Sequence, residues 1–278
     1  MIPFLLAFSC LVTQPAFDIQ QSHVERAGGV EIREITFANL TGGRTGATIV
    51  RPEGKGQEHK KKYAAVLLVH WYEPDAANSN RTEFREEAET LARQGTVSLL
   101  VDTMWSDRAW FNTRKQSEDH DRTVQQADEL RRALDLLLSQ PGVDPKRLAY
   151  VGHDFGAMFG ALLAGTERRV HAWALSAGTA RFSDWYLLGS KLEGAERQRA
   201  VDATAMLDPE RFIGEAAPGA VLLQFGRSDP YVPAPQANAL FAAAKEPKKL
   251  LWYDAGHALN EQARKDRLAW LGRRLKLH

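Results

Sequence analysis

A chain of 278 residues, 44% hydrophobic and 26% charged, fits one large α/β domain better than two medium ones and can bury a sizeable core. Lys+Arg 36 against Asp+Glu 35 leaves a net charge of +1, which gives no electrostatic basis for holding nucleic acid or an anionic membrane. The single cysteine, Cys10, excludes an internal disulfide.

The chain opens on "MIPFLLAFSCLVTQPAF", an apolar stretch of signal-peptide type that lacks a preceding Lys or Arg and a clean A-x-A site. Two readings stand: an export signal, which implies a periplasmic or secreted protein, or an N-terminal extension of a cytoplasmic one. About eleven apolar residues are too few to span a bilayer, and no other segment is a membrane-span candidate. The expected division is residues 1–28 as this leader or extension and 29–278 as one domain.

From Glu31 onward strand and helix patterns alternate. "EIREITFANL" and "TGATIVRP" read as an antiparallel pair turning at Gly42 and Gly43. "YAAVLLVHW" is a continuous apolar run of the kind buried on both faces of a sheet. The helix "RTEFREEAETLARQG" stops at Gly95. The strand "TVSLLVD" and an irregular loop from Thr103 to about Arg122 follow. The next helix carries Ala127, Leu130, Leu134 and Leu137 on one face and ends before Pro141. "PGVDPKR" leads into the strand "LAYVGH", a helix, and then "RVHAWALSA". After a variable stretch to about Pro218 come the strand "AVLLQFG", the helix "APQANALFAAAK", the strand "KLLWYDAG" and the helix "NEQARKDRLAWLGRRL". Strands separated by helices imply a mostly parallel, doubly wound sheet with helices on both faces.

In such sheets ligands bind where loops leave the carboxyl ends of strands. Four of these ends carry reactive residues. His70, Trp71 and Tyr72 follow one, and Asp154 sits in "GHDFGA" after another. Asp229 follows "LLQFGRS" and His257 follows "WYDAG". Gly152 and Gly156 flank Asp154 at the G-x-S-x-G spacing of a strand-to-helix elbow, with aspartate in place of serine. A tight elbow exposes its central side chain at a helix N-terminus, where negative charge is favoured. Asp254, Asp202 and Asp208 compete with Asp229 as the acid. His153 is expected to pack beneath the elbow and His70 to brace the neighbouring loop. Ser176 is a candidate polar contact in the pocket.

The order nucleophile, acid, histidine resembles that of α/β-hydrolases over nearly the whole chain past the first thirty residues. "GHDFGA" looks like the elbow of epoxide hydrolases and haloalkane dehalogenases, which use an aspartate nucleophile. The stretches "VLLVHWYEPDAANSN", "LARQGTVSLLVDTMW", "PGVDPKRLAYVGH" and "FGRSDPYVP" resemble the dienelactone hydrolase group, whose nucleophile is cysteine or serine. Only a short segment, Gly178 to Pro218, lies where epoxide hydrolases insert a cap domain. The resemblance implies an α/β-hydrolase fold with a short cap insertion and a catalytic set of Asp154, Asp229 and His257. It also implies an oxyanion hole from the backbone of Phe155 and of Trp71 or Tyr72.

Attack by aspartate on an ester would create a high-energy anhydride, whereas attack on a carbon bearing halide or epoxide oxygen creates an ordinary ester. The expected activity is therefore hydrolysis of a small apolar or aromatic epoxide or halide. Trp105, Trp110, Tyr186 and Tyr231 are the candidate pocket residues, and no metal or organic cofactor is expected. "SEDHDR", Ser117 to Arg122, lacks a metal-ligand spacing. Two alternatives remain open: an ester or lactone hydrolase, and a catalytically silent member of the fold that binds a ligand. The oligomeric state is not legible in the sequence.

Overall fold

The computed structural model describes residues 16–54, 62–73, 76 and 80–277. The candidate export signal and Cys10 lie almost wholly outside them. Among the described residues, no helix is long and apolar enough to cross a membrane.

One nine-stranded sheet runs through the molecule in the order β1-β2-β3-β5-β4-β6-β7-β8-β9. β1 (Gln20–Ala27), β2 (Val30–Ala38) and β3 (Arg44–Pro52) form an antiparallel edge. β4 (Tyr63–Val69), β5 (Thr96–Val101), β6 (Val143–His153), β7 (Ala172–Ser176), β8 (Ala220–Gly226) and β9 (Lys248–Tyr253) run parallel to one another, and β5 joins them to the edge by pairing antiparallel with β3. This is the doubly wound α/β-hydrolase arrangement that the alternating pattern implied. The sheet, however, begins at Gln20, inside the stretch assigned to a leader or extension. β1 is exposed along almost its whole length, so it has no apolar alternation from which a strand could be read. Backbone pairing to β2 holds it, not burial.

The central strands are buried on both faces because helices cover both. α1 (Arg85–Arg93) and α9 (Glu261–Leu275) help close one face, whose core includes Val66, Leu68, Val151, Ala174 and Leu222. α3 (Asp119–Leu138) and α4 (Phe155–Ala164) lie in the larger core with Leu67, Leu99, Tyr150 and Leu223. Ala127, Leu130, Leu134 and Leu137 of α3 are all buried, as the helical spacing required. The loop expected after β5 contains a helix, α2 (Arg108–Thr113), capped by the Asp107 side chain accepting from the Trp110 N–H. The insertion between β7 and β8 carries α5 (Ser183–Tyr186), α6 (Gly194–Thr204) and α7 (Pro209–Phe212), and α8 (Ala234–Ala243) follows β8.

A charged network crosses the α9 side of the sheet. Arg267 of α9 is buried and pairs with Glu87 of α1. The same guanidinium donates to Gln224 Oε1 at 2.8 Å and to Ser176 Oγ at 3.2 Å. Ser176 therefore belongs to this network, not to a substrate pocket. Removing one member of a buried ion pair leaves the other charge without compensation. Arg267→Met should lower unfolding free energy by about 3–5 kcal/mol, measured by urea denaturation, whereas an exposed variant such as Arg273→Met should change it little.

Candidate active site

β6 turns into α4 at Asp154, whose backbone adopts φ 53°, ψ −117°, a region costly for a residue with a side chain. Two glycines permit the turn. A Cβ on Gly156 would lie 2.1 Å from the Val69 carbonyl oxygen, and one on Gly152 would lie 2.3 Å from that of Gly156. The G-x-D-x-G spacing is thus a steric requirement of running the helix back across β4.

The Asp154 side chain is buried, with 1% of the residue exposed. Its Oδ2 accepts the Tyr72 N–H at 3.4 Å, and the Phe155 N–H bonds to the same carboxyl. Oδ1 has no hydrogen-bond partner. Burial pushes the carboxyl well above the usual carboxylate range, and the nearby Glu83 and Asp229 charges add to this against the two amides.

His257 lies in the loop between β9 and α9. Its Nδ1–H donates to Asp229 Oδ2 at 2.8 Å. The other Asp229 oxygen accepts the N–H groups of Tyr231, at 2.8 Å, and Val232, at 3.2 Å. Burial opposes ionisation of Asp229, but the His257 bond and these amides together hold it below its ordinary value. Burial likewise lowers His257 from the usual imidazole value, with Asp229 acting against that shift. His257 Nε2 has no partner. The imidazole is thus oriented by a carboxylate on one side and unengaged on the other. The rival acids are placed elsewhere. Asp254 is exposed and pairs with Arg227, Asp202 accepts from Gln198, and Asp208 accepts the Phe182 N–H.

Aromatic rings enclose His257. Trp71 stacks on it at 5.4 Å between centroids, Trp185 lies at 5.4 Å and Tyr231 meets it edge-on at 5.2 Å. The indole N–H groups of Trp71 and Trp185 are buried and unpartnered.

Several expected roles change. The Trp71 N–H is not available to an oxyanion, because it donates to Glu83 Oε2 at 3.0 Å; Tyr72 and Phe155 supply the amides that face Asp154. Trp105 is 1% exposed and stacks on Phe155 and Phe159, so it packs against the helix that follows the elbow. Tyr186 is buried too, with its hydroxyl 2.7 Å from Thr123 Oγ1. Trp110 lines a separate polar cavity of about 530 Å³ with Asp102, Arg122 and Glu129, with the Arg122 guanidinium 4.8 Å over its ring. Of the four predicted pocket aromatics, Tyr231 alone touches His257. Trp185, one residue before Tyr186, is the aromatic that sequence reading missed. Its helix, α5, spans four residues, too short for periodicity to reveal which side faces inward.

Glu83 was also missed. It accepts from the His153 Nδ1–H at 2.6 Å as well as from Trp71, and His153 Nε2 lies 2.9 Å from the His257 carbonyl oxygen. His153 does pack at the elbow as expected. His70 is buried against the same loop, with Nδ1 2.7 Å from the Trp71 carbonyl and Nε2 near the Thr103 and Ser106 hydroxyls.

The dienelactone hydrolase family model matches residues 55–270. The chain belongs to the dienelactone hydrolase family. It is accordingly a hydrolase with the α/β-hydrolase fold. No curated protein sequence matches it significantly. Among solved structures it is similar to an acetyl xylan esterase from Paenibacillus sp. R4, at 17% identity and TM-score 0.77, over 94% of this chain and 90% of that one. Acetyl xylan esterase 1 from Thermoanaerobacterium sp. JW/SL YS485 is similar at 14% identity and TM-score 0.73, over 93% and 88%. A dienelactone hydrolase homologue from Klebsiella pneumoniae gives 14% identity and TM-score 0.63, over 89% and 98%. At these identities the likeness concerns the fold.

Proposed function

We propose that this family member hydrolyses a small apolar or aromatic substrate by displacement at saturated carbon, with Asp154 as nucleophile, His257 as base and Asp229 as the group that orients it. The observation carrying this reading is the split environment of the Asp154 carboxyl: one oxygen accepts the Tyr72 N–H and the other is unpartnered. A carboxylate held by one oxygen presents the other for attack.

In this scheme Oδ1 attacks a carbon bearing an epoxide oxygen or halide, and the carbon–oxygen or carbon–halogen bond breaks with its electron pair on the leaving atom. The indole N–H groups of Trp71 and Trp185 are the donors best placed to receive it. The product of this step is an ester on Asp154. His257 Nε2 then takes a proton from water as the hydroxide attacks the ester carbonyl. Negative charge collects on Oδ2, where the Tyr72 amide already points, so stabilising it there needs no rearrangement of that donor. Collapse releases the ester oxygen as an alcohol, which receives the proton from His257, and leaves Asp154 as a carboxylic acid; its remaining proton passes to the alkoxide left by an epoxide, or to solvent when the departed atom is a halide, and the carboxylate is restored.

The scheme requires Asp154 ionised and His257 neutral. Burial raises the first and lowers the second, so turnover should fall as pH drops through the ionisation of Asp154, while His257 stays a competent base. The acid limb of kcat/KM is expected above the ordinary carboxylate range. A limb at the ordinary carboxylate value of about 4 would reject an ionising, buried Asp154.

The names of the similar structures favour a second reading, hydrolysis of an ester or lactone. Isotope labelling separates the two. During many turnovers in ¹⁸O-water an aspartate nucleophile exchanges its own oxygen, so the Asp154 peptide gains mass. A base-assisted attack of water on an ester leaves that peptide unlabelled. Aryl epoxides, haloalkanes and aryl esters assayed side by side supply the substrate.

A further inference from the structure

Both atoms assigned to the chemistry are shut away from solvent. Asp154 Oδ1 and His257 Nε2 are each buried and without a partner, and the Asp229 side chain that holds the imidazole is 0% exposed. No substrate reaches either atom until part of the wall moves. Besides His153, three rings meet the imidazole among the described residues, and they are held very differently.

Trp71 is fixed at backbone and side chain. Its N–H donates to Glu83, and its ring meets those of His153, at 4.5 Å, and His257, at 5.4 Å. Trp185 rides on α5, whose two ends are anchored. Phe182 is buried and its N–H donates to Asp208 Oδ1 at 2.9 Å, while Tyr186 is buried with its hydroxyl at Thr123. The Trp185 ring also rests on Phe155 at 5.8 Å. Tyr231 differs: it is 48% exposed, and its ring meets Trp185 at 5.6 Å and His257 edge-on. Its backbone is nonetheless pinned. The Tyr231 and Val232 N–H groups both donate to Asp229 Oδ1, and Pro230 and Pro233 restrict the chain on either side. Rotation about the Tyr231 Cα–Cβ bond therefore swings the phenol into solvent with the Asp229–His257 bond intact.

We propose that Tyr231 is a specificity-determining residue of this site, its ring the movable part of the wall whose swing admits substrate past Trp185 to His257 and Asp154. The inference rests on the catalytic assignment above, but not on which bond is cleaved. The opening is framed by an indole and an imidazole, so it suits a flat aromatic group, and the phenol limits how broad that group can be.

Access can be read with no substrate present. Diethyl pyrocarbonate carbethoxylates neutral imidazoles, and the exposed His120 is an internal reference. Peptide mass spectrometry should find His257 modified about tenfold or more slowly than His120, since an open form populated at a tenth or less divides the rate accordingly. Tyr231→Ala should close most of that gap, whereas Tyr231→Phe, which keeps the ring, should preserve it. Equal rates at the two histidines of the parent would overturn the closed wall. A gap unchanged in Tyr231→Ala, or closed only by Trp185→Ala, would overturn the choice of Tyr231. Phenyl and naphthyl members of whichever class the parent turns over, epoxide, halide or ester, test selection by size. Tyr231→Ala should raise kcat/KM for the naphthyl member relative to the phenyl one by about tenfold. An unchanged ratio, including an equal fall in both, would overturn the specificity role. Turnover of an ester without ¹⁸O entering Asp154 would reject the nucleophile and leave the gate standing.

Discussion

Asp154→Asn should reduce turnover by about 10⁴-fold or more, the scale seen when a nucleophile is removed, and should at the same time make the protein more stable near neutral pH. The second effect follows from linkage. Folded Asp154 holds its proton well above the ordinary aspartate value of 3.8, whereas the unfolded chain releases it near that value. Between the two, the folded state binds more protons, so its stability falls as pH rises. The penalty is absent below the unfolded value and complete above the folded one. Asparagine keeps the shape, tolerates the left-handed backbone and cannot ionise. The gain over the parent should be near zero at about pH 4 and grow to on the order of 1 kcal/mol by neutral pH, a size common where an active site is relieved of a conflict. Denaturant melts at acid and neutral pH measure it. Equal stability of the two proteins at both would contradict burial of an acidic group at the elbow.

His257→Gln should divide the cycle in two. In the proposed cycle, attack by Asp154 does not use the imidazole, but breakdown of the ester does. The variant is therefore expected to turn over once and stop, with the Asp154 peptide carrying the mass of the substrate skeleton. Steady-state turnover should fall by about 10³-fold or more while the first, stoichiometric burst survives. Asp229 accepts from three donors, His257 among them; in the proposed cycle it orients the ring, and Asp229→Asn should slow the same second step by a smaller factor. With a substrate turned over by the parent, full-rate steady turnover in His257→Gln would remove the imidazole from the mechanism. A variant without either burst or adduct would remove the covalent step.

The legible part of this protein was the part governed by local rules. Apolar runs bounded by glycine, proline and charge located β4, β5, β6 and β8. A 3.6-residue spacing located α3. The elbow was visible because its glycines answer a steric demand made within five residues. β1 was invisible, since an exposed edge strand held by backbone pairing needs no apolar pattern. Trp185 and Tyr186 are adjacent, yet one ring faces His257 and the other Thr123; in a helix of four residues nothing local distinguishes them. Glu83 resembled any acid before a helix, where negative charge is expected on general grounds. Trp71 and Tyr72 looked interchangeable as amide donors until Glu83 was found to occupy one of them.

The amino-acid sequence by itself determined a parallel α/β sheet, the elbow at residue 154 and the chain positions of an acid and a histidine at strand ends, because these follow from periodicity and backbone sterics over a few neighbours. The tertiary structure alone decided which aromatics enclose His257, which amides face Asp154, and that Glu83 and His153 lie between them. Those relations join residues as far apart as 104 positions, and only packing of the whole sheet selects which polar groups lose water together and must find partners in one another.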